Sequence, residues 1–390
     1  MKKSIVFKTL IICFLMLLIP ISSAIDVQIS NNAHIKNSND SYINSFNLNK
    51  YEKKSTHVII PGDGDKEFYA IFAGCTKYED RWNNMPPYLK PFPESTMKYV
   101  YEVLIDSSNW DDDNIVLLLN ENATRQNILD NLTFLGSIID GDDVFLFSWT
   151  GHGTQIKDLD GDDGDGLDEA ICPYDTKYEN GEYVNVITDD ELDAYFSLIG
   201  AEGLFLMFES CFSGGLVDVE TQQRYSFVDI DDDRRVVVMS TPPDKKGYYL
   251  ITMAWPISML YSIALSNTSC DNNHDGWISA EEAFTFVDET YPFFENEIWL
   301  EAFNQIIPLS TLLVFFIINN ILKIFRMKPE LRLFLSTLYA GFAYILYQTD
   351  DFKQIMIETY LNILDETMGT VNNPNMCDDY LGELNIINIE

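Results

Sequence analysis

Short runs of apolar residues alternate with longer amphipathic segments through the middle of the chain. The runs are bounded by polar or glycine-rich turns, a pattern typical of buried strands in a parallel sheet. It predicts strands at Phe68–Ala73, Ile115–Leu119, Val144–Trp149, Leu204–Phe208 and Val236–Met239. Helical spacing between the runs predicts helices at Ser95–Ile105, Thr124–Ile139 and Thr188–Ile199. Strands that alternate with helices indicate an α/β fold, with a mostly parallel sheet flanked by helices.

The N-terminal end departs from this alternation. Lys2, Lys3 and Lys8 precede an apolar stretch that ends in small residues at Ala24. This is typical of a cleaved secretory signal, so residues 1–24 are predicted to be a signal peptide and the protein to be exported. An uncleaved membrane anchor is the alternative. Residues 25–56 are rich in Asn, Ser and Lys, which predicts a flexible leader or pro-segment.

The pattern changes again beyond Tyr291. Two uncharged, mostly apolar stretches, Ala302–Leu322 and Leu333–Thr349, flank a short basic loop. Apolar spans around a basic loop predict a transmembrane helical hairpin over residues 302–349, with the loop in the cytoplasm and the rest of the chain outside the cell membrane. A helical hairpin packed on the core is the alternative, since the first stretch contains Pro308 and the second is short.

Composition and charge narrow the partners. The chain has 390 residues, 46% of them apolar, with 61 acidic against 25 basic side chains and a formal net charge of −36. Nucleic acid is therefore not expected as a partner, whereas metal cations are favoured. Five cysteines follow the signal segment, and an odd number leaves at least one thiol unpaired. The sequence does not decide whether the other four form disulfide bonds. These are Cys75, Cys172, Cys270 and Cys377.

Two short strings follow neighbouring apolar runs and carry reactive side chains. TGHG places His152 just beyond the run that ends at Trp149, and ESCFSGG places Cys211 just beyond the run that ends at Phe208. The carboxyl ends of parallel strands share one edge of a sheet, where the working crevice of α/β proteins lies. A lone histidine and a lone cysteine brought to that edge predict nucleophilic catalysis by a Cys–His pair.

These strings resemble those of caspase-like cysteine peptidases. The likeness to metacaspases is strongest in GHGTQIKDLDGDDGDGLDEAICPYD, ITDDEL and ESCFSGGLVD. The resemblance implies a catalytic domain over residues 57–290 and a polypeptide substrate. It implies that His152 and Cys211 form the catalytic dyad, and that the N–H groups of Gly153 and Cys211 stabilise the oxyanion. The string NPNMCDDYLGEL resembles the closing segment of exported prokaryotic members, which implies that residues 370–390 pack back on that domain.

The residue two places before Cys211 bears on substrate choice. The resemblance implies that Glu209 lines the pocket for the substrate residue before the scissile bond, where an acid favours Lys or Arg. A second pocket acid of metacaspases has only an approximate counterpart, Glu94. Cleavage after Asn or Asp therefore remains the alternative.

Dense acidic residues between the two strings suggest a bound cation. Like charges repel in the run Asp158–Glu169, so either a cation relieves the repulsion or the loop stays mobile. The resemblance implies calcium ligands at Asp168, Asp189, Asp190 and Asp218. Asp189 and Asp190 also fit the first turn of a helix, where acids complement the helix dipole, and this alternative stays open.

A second cation signal lies at Asp271–Glu282. The segment fits the EF-hand loop pattern, with Gly276 at the sharp turn and a helix over Glu281–Glu289. A single loop of this kind is more typical of a structural calcium clip than of a switch. The expected ligands are Asp271, Asn273 and Asp275 by their side chains, Trp277 by its carbonyl, Ser279 at the ninth position and Glu282 by both carboxylate oxygens.

These features predict an exported, membrane-anchored, calcium-binding cysteine endopeptidase that cleaves after basic residues. Two alternatives share the same fold. One is a catalytically inactive caspase-like module that serves as a surface binding or scaffold protein. The other is a transpeptidase that uses the same dyad on surface proteins.

Overall fold

The computed structural model describes residues 60–85, 92–159, 166–217, 230, 234–247, 256–292, 373–389 and, between 315 and 358, residues 315, 318, 319, 323, 328–347, 349, 353–355 and 358. Its strands are β1 Phe68–Gly74, β2 Ile115–Leu119, β3 Val144–Thr150, β4 Gly153–Lys157, β5 Leu167–Ile171, β6 Lys177–Glu179, β7 Glu182–Val184, β8 Ile187–Thr188, β9 Gly203–Glu209, β10 Arg235–Met239, β11 Trp277–Ser279, β12 Asn375–Asp378 and β13 Asn385–Asn388.

The α-helices of the described residues lie between these strands. They are α1 Phe92–Asp106, α2 Arg125–Gly136, α3 Asp189–Phe196, α4 Pro256–Leu265 and α5 Pro329–Tyr347. Residues 280–292 are also helical. Single 3-10 turns cover Arg81–Asn83 and Ser213–Leu216, and both lie beside the candidate site described below.

A six-stranded sheet organises the fold in the order β12-β10-β9-β3-β1-β2. Every pairing in it is parallel except that of β12 with β10, which is antiparallel. The five strands predicted from the apolar runs are confirmed, and each differs from its predicted bounds by no more than a residue or two. The mostly parallel α/β architecture is therefore confirmed. The parallel direction brings the carboxyl ends of β1, β3, β9 and β10 to one edge.

Both faces of this sheet are buried, because side chains alternate between them along each strand. Ile71, Phe147 and Leu206 belong to a core on one face, together with the apolar side of α2 and α3. Leu146 and Phe205 belong to a second core on the other face, with α1, α4 and the helix at residues 280–292. Burial on both faces explains why the strands are continuous apolar runs in the sequence.

Two helices end earlier than the pattern of apolar residues predicts, although the start of α3 agrees with its prediction. Thr188 caps α3 by accepting a hydrogen bond from the N–H of Glu191. The predicted helices continue to Ile139 and Ile199, whereas α2 ends at Gly136 and α3 ends at Phe196. Both isoleucines remain fully buried in tight turns after the helices, so the apolar pattern outlasts the helical backbone.

The C-terminal residues are part of the same core. β12 adds an antiparallel edge to the central sheet, and β13 pairs with β11. The indole N–H of Trp110 donates to the carbonyl of Ile386 at 2.8 Å, which ties this segment to the loop after α1. The chain therefore closes its own sheet edge with residues that are distant in sequence.

The predicted membrane hairpin is not supported by the described residues. None of the helices described in the structure combines the length and the apolar character that a bilayer crossing requires. α5 coincides with most of the predicted second stretch, and it also takes in the charged residues Glu330 and Arg332. The predicted first stretch lies almost wholly outside the described residues, as do the signal segment and the leader.

Candidate active site

The two predicted catalytic residues follow adjacent strands at the carboxyl edge of the sheet. β3 pairs with β9 so that Thr150 lies opposite Glu209, and the N–H of Gly151 donates to the carbonyl of Glu209 at 3.2 Å. His152 and Cys211 each come two residues beyond this last pair. A Cβ atom on Gly153 would lie 2.2 Å from the carbonyl oxygen of Cys211, so the two strand ends touch at this point.

His152 is held by residues that follow β1. Its backbone N–H donates to the hydroxyl of Tyr78 at 2.9 Å, and its ring nitrogen Nε2 lies 3.0 Å from the carbonyl oxygen of Asn83. A carbonyl can only accept, so Nε2 carries the hydrogen and Nδ1 is the basic nitrogen of the neutral ring. Burial lowers the pKa of His152, which favours this neutral form at pH 7.

Cys211 sits on a tight turn at the end of β9. Its side chain is half-buried, and its thiol Sγ lies 3.9 Å from the carbonyl oxygen of Gly247. Phe212 adopts the left-handed conformation with φ of 61°, which is uncommon for a bulky residue. The N–H of Phe212 donates to the carbonyl of Lys245 at 2.8 Å, and that contact helps to hold the turn.

The other cysteines leave the thiol of Cys211 unbridged. None of the five cysteines in the described residues forms a disulfide, which answers the question that the sequence leaves open. Cys75, Cys172 and Cys270 are buried among apolar side chains, and burial raises the pKa of each thiol. They pack as small hydrophobic residues.

Glu209 occupies a different environment from the one that its position in the motif predicts. Its side chain is 2% exposed, and its carboxylate accepts hydrogen bonds from the N–H groups of Ile257 and Ser258 at 2.9 Å each. The hydroxyl of Ser258 also donates to it. Glu209 thus caps the N-terminus of α4, where the helix dipole favours a negative charge. Burial nevertheless raises the pKa of Glu209 to about 7.

The predicted calcium ligands near the dyad are only partly described. Asp168 and Asp189 are buried, and Asp190 is half-buried. Asp189 accepts a hydrogen bond from the N–H of Glu169 at 3.1 Å, which joins the start of α3 to β5. Asp218 lies outside the described residues. Carboxylate oxygens are the donors that calcium prefers, so the chemistry of this set fits the ion.

The loop Asp271–Glu282 is folded as a compact acidic turn. Asp271 accepts from the N–H groups of Asp275 and Gly276, and Gly276 has a φ of 87°. Glu282 is 6% exposed and accepts from the N–H groups of Asn272, at 2.7 Å, and Ser279, at 3.1 Å. Asn273 accepts from the N–H of Asp275, while Trp277 and Ser279 lie in β11. The expected ligands therefore lie in one folded loop and their oxygens suit a hard cation, but the carboxylate oxygens of Asp271, Asp275 and Glu282 do not all lie within 4.8 Å of one another.

Sequence reasoning missed a further acidic group. Asp63, Asp140 and Asp142 offer carboxylate oxygens within 4.8 Å of one another, and they form the one such group in the described part of the chain. The N–H groups of Asp63 and Gly64 donate to Asp140 and Asp142. These contacts join the segment before β1 to the turn before β3.

The part of the chain that contains this site resembles a known protein family. Residues 92–220 match the family model described as metacaspase, peptidase C14 domain. Metacaspase-1 of Schizosaccharomyces pombe is 42% identical over 98 residues, which are 25% of this chain and 22% of that protein. Metacaspase-1 of Botryotinia fuckeliana is 34% identical over 131 residues, 32% of this chain and 30% of that protein. The chain thus matches less than a third of the length of these relatives.

Two solved structures align with part of the chain at low identity. A structural-genomics protein from Geobacter sulfurreducens aligns with a TM-score of 0.40 and 15% identity, over 57% of this chain and 88% of that one. Caspase-1 from Spodoptera frugiperda aligns with a TM-score of 0.37 and 12% identity, over 57% of this chain and 76% of that one.

Proposed function

We propose that this chain, which carries a caspase-like peptidase domain of the metacaspase type, is a cysteine endopeptidase with His152 as base and Cys211 as nucleophile. One observation carries the proposal. The strand ends that bear the two residues touch at Gly153, where a Cβ would lie 2.2 Å from the Cys211 carbonyl oxygen. The metacaspase match over residues 92–220 includes both residues and supports the same chemistry.

The proposed mechanism gives a role to each group. Because Nε2 of His152 faces the carbonyl of Asn83, Nδ1 takes the proton of the Cys211 thiol. The thiolate sulfur bonds to the peptide carbonyl carbon, and the carbonyl electron pair moves to oxygen. The N–H groups of Gly153 and Cys211 stabilise that oxyanion. The intermediate then expels the amine, which takes the proton from His152, and water hydrolyses the thioester.

The proposed specificity for a basic substrate residue rests on the position and the burial of Glu209. Glu209 is an acid two residues before the nucleophile, and its carboxylate is buried with a pKa raised to about 7. Below that pH the group is mostly neutral, and above it the group is mostly charged. A preference for Arg or Lys that derives from Glu209 should therefore strengthen as the pH rises through 7.

Calcium is proposed at two places in the domain. Asp168, Asp189, Asp190 and Asp218 would form one site beside the dyad, supported by the buried carboxylates of Asp168 and Asp189. The EF-hand pattern of Asp271–Glu282 supports the second, with Asp271, Asn273, Asp275, Trp277 and Glu282 as ligands. Because β11 in this loop pairs with β13, a cation there would stabilise the C-terminal segment.

Export is proposed from the signal pattern of residues 1–24 alone, and it places the domain outside the cell. Fractionation of expressing cells tests it, with protease added to intact cells. Degradation of the domain in intact cells supports export, whereas protection until lysis contradicts it.

Peptide cleavage tests the proposed activity. The full chain is incubated with peptides that place Arg, Lys, Asn or Asp before the scissile bond, with calcium or with chelator, beside Cys211→Ala. Cleavage after Arg or Lys that requires Cys211 and calcium is the expected result. No Cys211-dependent cleavage with any peptide would favour an inactive binding module. Transfer of the acyl group to an added amine in preference to water would favour a transpeptidase.

A further inference from the structure

The turn that carries Cys211 is bound to a group of buried hydroxyls whose role neither the motif nor the comparisons specify. Ser213, Ser240 and Thr241 are 1%, 8% and 0% exposed. Ser213 lies just after the nucleophile, and the other two follow β10, the strand next to β9. We refer to these three residues as the hydroxyl cluster.

The hydroxyl cluster binds the backbone on both sides of Cys211. The carbonyl of Ser210 accepts hydrogen bonds from the hydroxyls of Ser240 and Thr241, both at 3.1 Å. The N–H of Ser210 donates to the Ser240 hydroxyl at 3.1 Å, and the N–H of Ser213 donates to the Thr241 hydroxyl at 3.0 Å. Four contacts from two side chains thus hold the residues that precede and follow the Cys211–Phe212 pair.

The contacts are also reciprocal. The Ser213 hydroxyl oxygen accepts from the N–H groups of Ser240 at 3.0 Å and Thr241 at 3.1 Å. It lies 3.4 Å from the Ser240 hydroxyl and 3.3 Å from the Thr241 hydroxyl. The hydroxyls of Ser240 and Thr241 both donate to the Ser210 carbonyl. The Ser213 hydroxyl can therefore donate a hydrogen bond to either of them. Every donor of the hydroxyl cluster therefore has an acceptor, which buried polar networks need in order to be rigid.

This arrangement fixes the direction of one particular N–H group. The carbonyl of Ser210 and the N–H of Cys211 belong to the same peptide, and in a trans peptide they point in opposite directions. Because the carbonyl points at Ser240 and Thr241, the N–H of Cys211 points away from them. This N–H is one of the two donors that the proposed function assigns to the oxyanion.

We propose that Ser240 and Thr241, with Ser213, are positioning residues that orient the Cys211 N–H for oxyanion stabilisation. The inference rests on the proposed function, because it names the groups that prepare the same site. The three residues do not touch the substrate. They act through the Ser210–Cys211 peptide, and Phe212, in its left-handed conformation, lies in the pair of residues between the anchored Ser210 and Ser213.

The test compares Thr241→Val, which keeps the shape but removes the hydroxyl, with Thr241→Ser, which retains it. Three quantities are measured on the full chain: kcat/KM for a cleaved peptide, the inhibition constant of a peptide aldehyde, and the alkylation rate of Cys211 by iodoacetamide, mapped by mass spectrometry. The aldehyde forms a tetrahedral adduct with an oxyanion, whereas alkylation requires only an accessible thiolate.

In Thr241→Val we expect kcat/KM to fall about 10- to 100-fold, mainly in kcat, and aldehyde affinity to fall by a similar factor. Alkylation of Cys211 should be unchanged, and Thr241→Ser should restore both losses. Ser240→Ala gives a second variant should Thr241→Val fold poorly. Ser262→Ala removes a buried hydroxyl in α4 that donates to the carbonyl of Met259, and it serves as the matched control with no effect on inhibition.

Unchanged aldehyde affinity in a folded Thr241→Val or Ser240→Ala chain would overturn the positioning role. So would a loss that falls equally on alkylation, or one that Thr241→Ser does not restore. Aldehyde capture needs no turnover, so the two proposals can fail separately. A wild-type chain that captures aldehyde at Cys211 but cleaves no peptide would contradict the proposed function, while weaker capture by Thr241→Val would still support the positioning role.

Discussion

The two strand ends that form the candidate site are held in different ways. The end of β3, with His152, is held by the residues that follow β1, through the Tyr78 hydroxyl and the Asn83 carbonyl. The end of β9, with Cys211, is held by the residues that follow β10, through the hydroxyl cluster. Each strand end is thus held by its outer neighbour in the order β10-β9-β3-β1.

The difference lies in the chemistry of the contacts. On the histidine side, the Tyr78 hydroxyl and the Asn83 carbonyl are joined to His152 by backbone and ring contacts. The His152 carbonyl accepts from the N–H of Cys172 at 3.0 Å and from the indole N–H of Trp149 at 3.3 Å. The cysteine side instead depends on three buried hydroxyls in a reciprocal network. In the proposed mechanism an oxyanion donor must be oriented before the reaction, since its energetic benefit comes from preorganisation. The hydroxyl cluster would supply that orientation.

The largest effect is expected where the two strand ends touch. In Gly153→Ala the new Cβ would meet the Cys211 carbonyl oxygen at 2.2 Å and the Ser210 hydroxyl at 2.9 Å, so the ends must separate. We expect kcat/KM to fall about 100-fold or more, and the free energy of unfolding to drop by about 1–3 kcal/mol. Kinetics and urea unfolding measure these changes. Gly341→Ala, where a Cβ meets open space, is the control. Near wild-type activity in Gly153→Ala would contradict contact at this point.

A smaller effect is expected from the histidine side alone. Tyr78→Phe removes the acceptor of the His152 N–H and leaves it without that partner. We expect kcat to fall about 10-fold and the free energy of unfolding to drop by about 1–3 kcal/mol. Tyr261→Phe removes a buried phenol that contacts the carbonyl of Ala280, and it should reduce stability without changing kcat. Equal kcat values in the two variants would show that Tyr78 does not position His152.

The pH dependence of the free energy of unfolding tests the buried position of the Glu209 carboxyl. Burial raises the pKa of this carboxyl from 4.5 to about 7, so the folded state favours the protonated form. Its stabilising contribution is complete below pH 4.5 and is lost as the pH rises through 7. Glu209→Gln keeps an acceptor for the N–H groups of α4 and should abolish this dependence. Urea unfolding from about pH 4 to about pH 9 measures it, and parallel curves for both proteins would contradict the buried position.

The smallest effect is expected far from the dyad, at the acidic loop beside the C-terminal segment. Calcium should raise the unfolding temperature of the full chain, and Glu282→Gln should weaken the calcium dependence, because it removes one charged ligand oxygen. Activity at saturating calcium should change little. Glu289→Gln, an exposed acid in the helix at residues 280–292, is the control. The same calcium titration in both variants would exclude the loop as the site.

The sheet, and the placement of His152 and Cys211 after adjacent strands, could be predicted because local patterns encode them. The apolar runs identify β1, β2, β3, β9 and β10, and the rule that parallel strands end at one edge brings His152 and Cys211 together. The start of α3 at Thr188 is equally local, because the Thr188 hydroxyl accepts from the N–H of Glu191. The helix ends near Ile139 and Ile199 were overestimated, because buried residues continue the pattern after the helix stops.

The groups that surround the dyad could not be predicted, because long-range packing brings them there. No residue near Glu209 in the sequence predicts that its carboxylate accepts from the N–H groups of residues 257 and 258, at the N-terminus of α4. Tyr78 and Asn83 belong to no motif, and neither do Ser240 and Thr241. The parallel order β10-β9-β3-β1, which is seen only in the folded sheet, places the ends of β1 and β10 on either side of the site.

Covalent labelling of the full chain tests the central claim most directly. A peptidyl acyloxymethyl ketone reacts only with a nucleophile that a substrate-like ligand reaches, and peptide mapping identifies the labelled residue. We expect one adduct on Cys211 that is absent in Cys211→Ala and forms at least about 100-fold more slowly in His152→Ala. Labelling of another cysteine, or an unchanged rate in His152→Ala, would contradict the assignment of the two strand ends as one catalytic site.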